Sequence, residues 1–383
     1  MLDRQRIVTT GITSAAVATV ALVLWLKPWA TSLEANQPMQ PEPVQVTKAK
    51  GRAVDIVFAV DTTGSMGGLL DGAKRTVWSI ANQVRDLEKD ANLRVGLVAY
   101  RDLGDEYVTR DFSLTDDLDA VFAELSAYQA GGGGDVPENV DAALYDAVHK
   151  MKWRDGAKKM IFLVGDAPPS SRGEVPRYDV TARDAARMQI RINAIRAGQD
   201  GETANAWQQI ASIGNGAFSS IQQNGGVQQV ATPYDDQMAK LATDIDSTTL
   251  YYGSGDARRA YEGKRAAVSA APAAARADRG SYYSKGGGGG GADKPTEDVV
   301  AGVATGAMNI DSIDSENLPE DMRAKSKDEL KAEIATRASK RQAAQKEMAE
   351  LTKKRDEYLK ANSANKDDAF DGVVKTTLEA QLK

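Results

Sequence analysis

The 383-residue sequence contains no cysteine. That absence excludes disulfides, thiol catalysis, thiolate zinc sites and a lipidated N-terminal cysteine. Histidine is nearly absent too, His149 being the single one. It sits in a helical pattern from Asn139 to Trp153, with nothing beside it to supply the geometry of a triad or a multi-histidine site. A strong excess of positive charge is also missing. The net charge of -6 gives no electrostatic reason to expect nucleic acid, and the paired tyrosines Tyr251, Tyr252, Tyr282 and Tyr283 do not change that. No phosphate loop is legible, because the six glycines Gly286 to Gly291 lack a following G-x-x-x-x-G-K-[S/T] pattern. With no nucleophile–base pair and no identifiable general base, the chain is not expected to be an enzyme.

What is present begins at the N-terminus. Ile7 to Leu26 carries no charged residue, and about 20 apolar residues suffice to cross a bilayer. Arg4 and Arg6 precede the run and Lys27 follows it, so residues 1–6 are expected to stay cytoplasmic. The rest would then lie outside, in the periplasm if the membrane is a bacterial inner one. Trp25 and Trp29 suit an interface. A cleaved signal peptide is the competing reading, but its apolar core is normally about 7–15 residues. Ala30 and Ala35 also complete no clean small-x-small pattern near the apolar end. Residues 27–50, with Pro38, Pro41 and Pro43, read as an extended linker.

From Arg52 the pattern changes. Val54 to Val60 is a nearly continuous apolar run, as in a parallel strand buried on both faces. Leu93–Tyr100 and Met160–Val164 read the same way, Val108–Phe112 as a weaker edge, and Gln189–Arg196 and Ala217–Ile221 as two more strands. Helical spacing appears between them, at Leu70, Ala73, Val77, Ile80 and Val84, at Leu118, Val121, Phe122 and Leu125, and around Trp207 and Ile210. Asp235 to Ile245 reads as a closing helix. The expected fold is α/β, a doubly wound, mostly parallel sheet over residues 51–252, with an N-terminal transmembrane helix and a C-terminal helical tail. Ligands of such sheets bind at the carboxyl ends of strands, near the switch point. The loops after Val60, before Glu138 and after Val164 are therefore where function is to be sought.

Residues 253–297 are rich in Ala, Gly, Ser and Arg and read as a flexible tether. Residues 298–383 regain order signals. Ser326-x-x-Glu329 is a capping box before Leu330, and the stretch to about Ala361 reads as one long helix with i,i+4 pairs such as Glu333–Arg337. Arg337, Arg341 and Arg355 interrupt its apolar seam, which argues against a self-sufficient coiled coil. A hairpin with Val373–Leu382, docking on another protein, or self-association through this helix remain open.

The candidate chemistry starts at Asp61-Thr62-Thr63-Gly64-Ser65-Met66, which follows the first strand and opens a helix. Alternate residues of such a loop can aim oxygens at one point: Asp61 supplies charge, Thr63 and Ser65 supply hydroxyls, and Gly64 permits the turn. Mg²⁺ requires about six hard oxygen ligands in this manner. The same string would also serve as a helix N-cap. Leu163-Val164-Gly165-Asp166-Ala167-Pro168-Pro169 ends another buried strand with a carboxylate, and Gly131 to Gly134 precede Asp135-Val136-Pro137-Glu138.

The first string resembles the D-x-[S/T]-x-S motif of von Willebrand factor A (VWA) domains. The second resembles their third metal loop, with Asp166 the matching residue. The glycine loop is similar to the G-G-G-D-x-P-E variant of VWA proteins with T-G-S-M first loops. The likeness covers Arg52 to Ile245, about half the chain, and excludes the anchor and tail. It implies a metal-ion-dependent adhesion site (MIDAS) of Asp61, Thr63, Ser65, Asp135 and Asp166 holding Mg²⁺, or Ca²⁺ or Mn²⁺. In many members the third-loop aspartate binds through water. The metal's open position would accept a Glu or Asp of a partner protein. Asp135 falls nearest the position usually held by threonine, with Glu138 as the fallback. A carboxylate there would hold the cation more tightly, or Asp135 would stand behind the direct ligands. The alternative function is an accessory subunit of a MoxR-type AAA+ ATPase chaperone system, which would require the domain to face the cytoplasm.

Overall fold

The computed structural model describes residues 51–227, 229–286, 294–362 and 369–383. The expected anchor and linker lie outside the described residues. Among those described, no helix is long and apolar enough to cross a membrane.

Six strands form one sheet: β1 (Ala53–Asp61), β2 (Asn92–Tyr100), β3 (Thr109–Thr115), β4 (Lys158–Gly165), β5 (Ile190–Ala197) and β6 (Phe218–Ile221). Their order is β3-β2-β1-β4-β5-β6. All pairs are parallel except the edge strand β3, which runs antiparallel to β2. The chain winds outward from β1 through β2 to β3, then returns to β4 and winds the other way. The switch therefore lies between β1 and β4, where Val60 pairs with Val164.

The apolar run of β1 is continuous because both its faces are covered. Val54, Ile56, Phe58 and Val60 enter one core with α1 (Gly67–Leu87) and α2 (Leu118–Ala127). Val57 and Ala59 enter the other with α3 (Val140–Tyr145), α4 (Tyr178–Arg187) and α5 (Gly201–Ile213). A π-helical turn, Asp146–Lys150, continues α3 and carries His149, whose Nε2 is 3.4 Å from Asp184 Oδ2. Asp55 is the polar exception on β1. Burial alone would raise its carboxyl, but hydrogen bonds from Arg94 and Arg154 outweigh it and hold the group below its ordinary value.

The expected tether is a correction. After α6 (Asp235–Asp246), the chain forms α7 (Gly255–Ser269) and α8 (Ala273–Ser284) rather than a flexible segment. Val268, Ala271, Ala275 and Tyr282 join the core beneath α1. Small residues that look like linker composition permit close approach here. A Cβ on Gly280 would stand 2.6 Å from Met348 Cε. Most of the glycine run lies outside the described residues.

The tail is α9 (Val299–Thr305), α10 (Glu320–Arg323), α11 (Lys327–Asn362) and α12 (Phe370–Leu382). The capping box forms, with Ser326 N donating to Glu329 Oε2 at 2.8 Å. The seam of α11 is covered from within the chain. Ala344, Met348 and Leu351 pack on Met238 and Leu241 of α6 and Ala277 of α8. The interrupting arginines are docking groups. Arg355 pairs with Asp235 and Asp278, both at 2.7 Å, and Arg341 pairs with Asp298. Helix α12 lays Phe370, Val373, Val374, Leu378 and Leu382 into the same core as Phe58 and α1. The tail therefore completes the sheet domain, and the described residues from Gly51 onward form one compact unit.

The deepest of these ion pairs sets a test. Arg279 of α8 meets Asp119 of α2 at 2.7 Å and Asp246 of α6 at 3.0 Å, with Asp119 fully buried. Burial alone would raise the Asp119 carboxyl, but Arg279, Arg265 and Lys264 hold it below its ordinary value. The folded state thus binds that proton less tightly than the unfolded state. The resulting stabilisation is complete above about pH 4 and fades as pH falls through the folded value. Arg279→Met leaves the buried Asp119 charge with only the weaker help of Arg265 and Lys264, and should cost about 3 kcal/mol at pH 7 in urea unfolding. The gap to wild type should narrow toward pH 3. A pH-independent gap would contradict the ion pair's role.

Candidate metal centre

The first loop grows out of the end of β1. Asp61 is fully buried and Thr63 nearly so, while Ser65 faces solvent. Asp61 Oδ1 accepts from Thr63 N at 2.8 Å and from Thr63 Oγ1 at 2.7 Å, and Thr63 Oγ1 lies 3.3 Å from Ser65 Oγ. This geometry decides between the two readings of the string. Neither the turn Gly64–Met66 nor α1 receives a side-chain cap bond, so the hydroxyls face the carboxylate instead of the helix amides. Asp61 Oδ2 is buried and has no partner.

The loop after β4 brings Asp166 to the same end of the sheet. Its backbone carbonyl accepts from Thr203 Oγ1 at 3.3 Å, and its Oδ2 accepts from Gln223 Nε2 at 2.6 Å. Gly165 must lack a side chain, because a Cβ there would lie 2.3 Å from the Tyr100 hydroxyl and 3.0 Å from Asp61 Cβ.

The second loop carries the principal correction. Asp135 is not brought to this cluster. It is exposed and ion-paired with Arg172, which also holds Asp102 at 2.9 Å. Glu138, the fallback, stands there instead. Its backbone N donates to Pro168 O at 3.0 Å and its O accepts from Ser170 N at 2.8 Å, tying it beside the Asp166 loop. Its side chain is buried, and Oε2 has no partner. The glycines make this approach achievable. A Cβ on Gly133, which has φ +80°, would sit 3.1 Å from Thr63 Cβ and 3.3 Å from Glu138 Oε1.

Three carboxylates therefore face one another. Burial pushes Asp61 up to about 7 against the Thr63 hydrogen bonds, and Asp166 beside it pushes the same way. Burial and the charges of Asp61, Asp102, Asp105 and Asp166 push Glu138 up to about 8. The Tyr100 hydroxyl is driven upward by burial and by the same three acids. Among the described residues no lysine or arginine forms an ion pair with Asp61, Glu138 or Asp166. Two buried oxygens without donors, inside like charge, are costly unless a cation answers them. The donors are carboxylates and hydroxyls, which suit Mg²⁺, Mn²⁺ or Ca²⁺. Among the described residues no group of three or more Asp, Glu, His or Cys side chains is placed to hold a metal ion. Sequence reasoning missed Tyr100, Asp102 and Arg172, although Tyr100-Arg101-Asp102 stands at a strand's carboxyl end, where such residues gather.

Residues 55–233 match the family model of the von Willebrand factor type A domain. Among curated proteins, the alpha-protein kinase vwkA of Dictyostelium discoideum is 29% identical over 118 residues, 30% of this chain and 18% of its own length. A putative ariadne-like RING finger protein of Acanthamoeba polyphaga mimivirus is 28% identical over 116 residues, 30% and 11% respectively. The chain thus spans under a fifth of the curated relatives it matches. Among solved structures, the conserved hypothetical protein BatB from Bacteroides thetaiotaomicron is 17% identical, with 44% of this chain and 90% of that one covered and a TM-score of 0.33. Proximal thread matrix protein 1 of the mussel byssus, with a zinc-occupied MIDAS motif, is 16% identical, with 45% and 42% covered and a TM-score of 0.37.

A chelator experiment follows from the Glu138 environment. The folded state binds the Glu138 proton more tightly than the unfolded state, so without metal the protein loses stability as pH rises from 4.5 toward 8. In EDTA at pH 8, Glu138→Gln should be more stable than wild type, with the difference vanishing near pH 4.5. A variant less stable than wild type at pH 8 would contradict the crowded-carboxylate description.

Proposed function

Taking residues 55–233 as a von Willebrand factor type A domain, we propose that the chain is a divalent-cation-dependent protein-binding module. The observation that carries this reading is the pair of buried, unpartnered oxygens on Asp61 and Glu138, beside two hydroxyls and with no cationic side chain paired to them. Asp61 and Glu138 would supply charge to the ion, Thr63 and Ser65 would supply neutral oxygens, and Asp166, whose side chain adjoins Asp61, would assist through water. A bound cation supplies an electrophilic position for a partner's carboxylate. Thr63 is held by Asp61 before any ion arrives, so its hydroxyl is already aimed. Ser65, exposed at the mouth, marks the side from which the partner approaches.

Glu138 tunes the balance. A third carboxylate holds the ion more firmly than a neutral threonine would and lowers its appetite for a further anion. Mg²⁺ should raise the melting temperature of wild type, and Asp61→Asn should abolish that shift. Glu138→Thr should weaken Mg²⁺ binding by about tenfold in calorimetry, which is about 1.4 kcal/mol. Asp135→Asn should stay within about twofold of wild type. An unshifted wild type, or equal loss from Asp135→Asn, would overturn the assignment.

We also read Ile7–Leu26 as a membrane anchor that leaves the domain on the outer side. Support comes from its twenty uncharged residues and the cationic Arg4 and Arg6 before it. Resistance of the full chain to alkaline extraction, together with cleavage of the domain by protease added outside spheroplasts, is the expected result. Alkaline release, or protection from that protease, would count against it.

A further inference from the structure

The rim around the cluster differs from the cluster itself. The turn after β2 is closed by Asp105 N donating to Asp102 O at 3.3 Å, and Leu103 stands at its tip, 47% exposed. Val136, next to Asp135 on the glycine loop, is 71% exposed. One guanidinium, Arg172, links the acids next to both, Asp102 and Asp135, and Gly133 N donates to Asp105. Among the described residues only four large apolar side chains are this exposed, the other two being Val180 and Met188 on and just after α4. Half of them thus lie on the two loops that Arg172 links. Isolated apolar residues at a surface need no explanation, but two on linked loops do.

Charge adds a second, independent constraint. Asp61 and the segments 101–106, 135–138 and 166–174 carry eight acidic side chains against two arginines. A divalent cation leaves this rim negative. Glu106 and Asp135 project into solvent, with side chains 80% and 54% exposed. An acidic partner would be repelled everywhere except at the ion, and electrostatic complementarity decides which partner approaches.

We propose that the partner presents a single acidic residue flanked on one side by an aliphatic side chain and on the other by lysine or arginine. The acid meets the cation, the aliphatic group covers Leu103 and Val136, and the basic group meets the acidic rim. This rests on the metal-dependent reading above, and specifies the partner that reading leaves general.

The test uses the full chain in detergent with Mg²⁺ and a set of synthetic nine-residue peptides. The parent peptide has a central Glu between Leu and Lys. Companions replace the central Glu by Gln, the Leu by Ser, or the Lys by Glu. The parent should bind, Gln should abolish binding, and the Ser and Glu companions should each bind about tenfold more weakly. Leu103→Ser/Val136→Ser should bind the parent as weakly as wild type binds the Ser companion, with Mg²⁺ affinity unchanged as the control for folding. If Mg²⁺ binds but the parent does not, or binds regardless of flanks and rim, the proposal falls while the metal reading stands. If Mg²⁺ itself does not bind wild type, the metal reading fails first.

Discussion

Like charges cannot be gathered in a dry place without something to answer them, and this domain gathers them at the one point its topology makes. The order in which the chain adds strands reverses between β1 and β4. The strand ends there open a crevice that receives Asp61 and Asp166, and Glu138 is strapped in by the Pro168 carbonyl. Burial and mutual repulsion push Asp61 and Glu138 up to about 7 and about 8. The hydroxyls, the open glycine loop and the exposed Ser65 all make sense as the surroundings of an ion that relieves this strain in charge.

The remainder of the molecule keeps that crevice in register. The two faces of β1 are sealed by separate cores, and the chain returns from far downstream to finish one of them with Phe370 against Phe58 at 6.3 Å between ring centroids. Buried arginines on α8 and α11 meet aspartates on α2 and α6, joining segments more than a hundred residues apart. These pairs matter more for specifying where the helices dock than for net stability, since an apolar replacement of both partners can be neutral. The tail is therefore part of the scaffold.

Much of this was legible in the residues. The uninterrupted apolar run of β1 announced a buried strand through its period, and the positions of Asp61 and Asp166 at strand ends foretold that both would stand at one end of the sheet. The choice between Asp135 and Glu138 was not legible. It depends on a backbone contact to Pro168 that no local pattern encodes, and on Arg172 drawing Asp135 outward. Helices α7 and α8 were hidden for a different reason. Alanine, glycine and serine describe a floppy tether and a tightly packed helix equally well, and distant partners such as the core around Val268 and Tyr282 and Met348 against Gly280 distinguish them. The seam arginines of α11 read as defects in a coiled coil because their aspartate partners are distant in sequence.

Anomalous scattering from crystals soaked in Mn²⁺ addresses the central claim most directly. One strong peak in bonding contact with Asp61 and Ser65, with Glu138 turned toward it and Asp135 still on Arg172, is the result the account predicts. A silent map at this crevice, with Asp61 and Glu138 sharing a proton in its place, would contradict it.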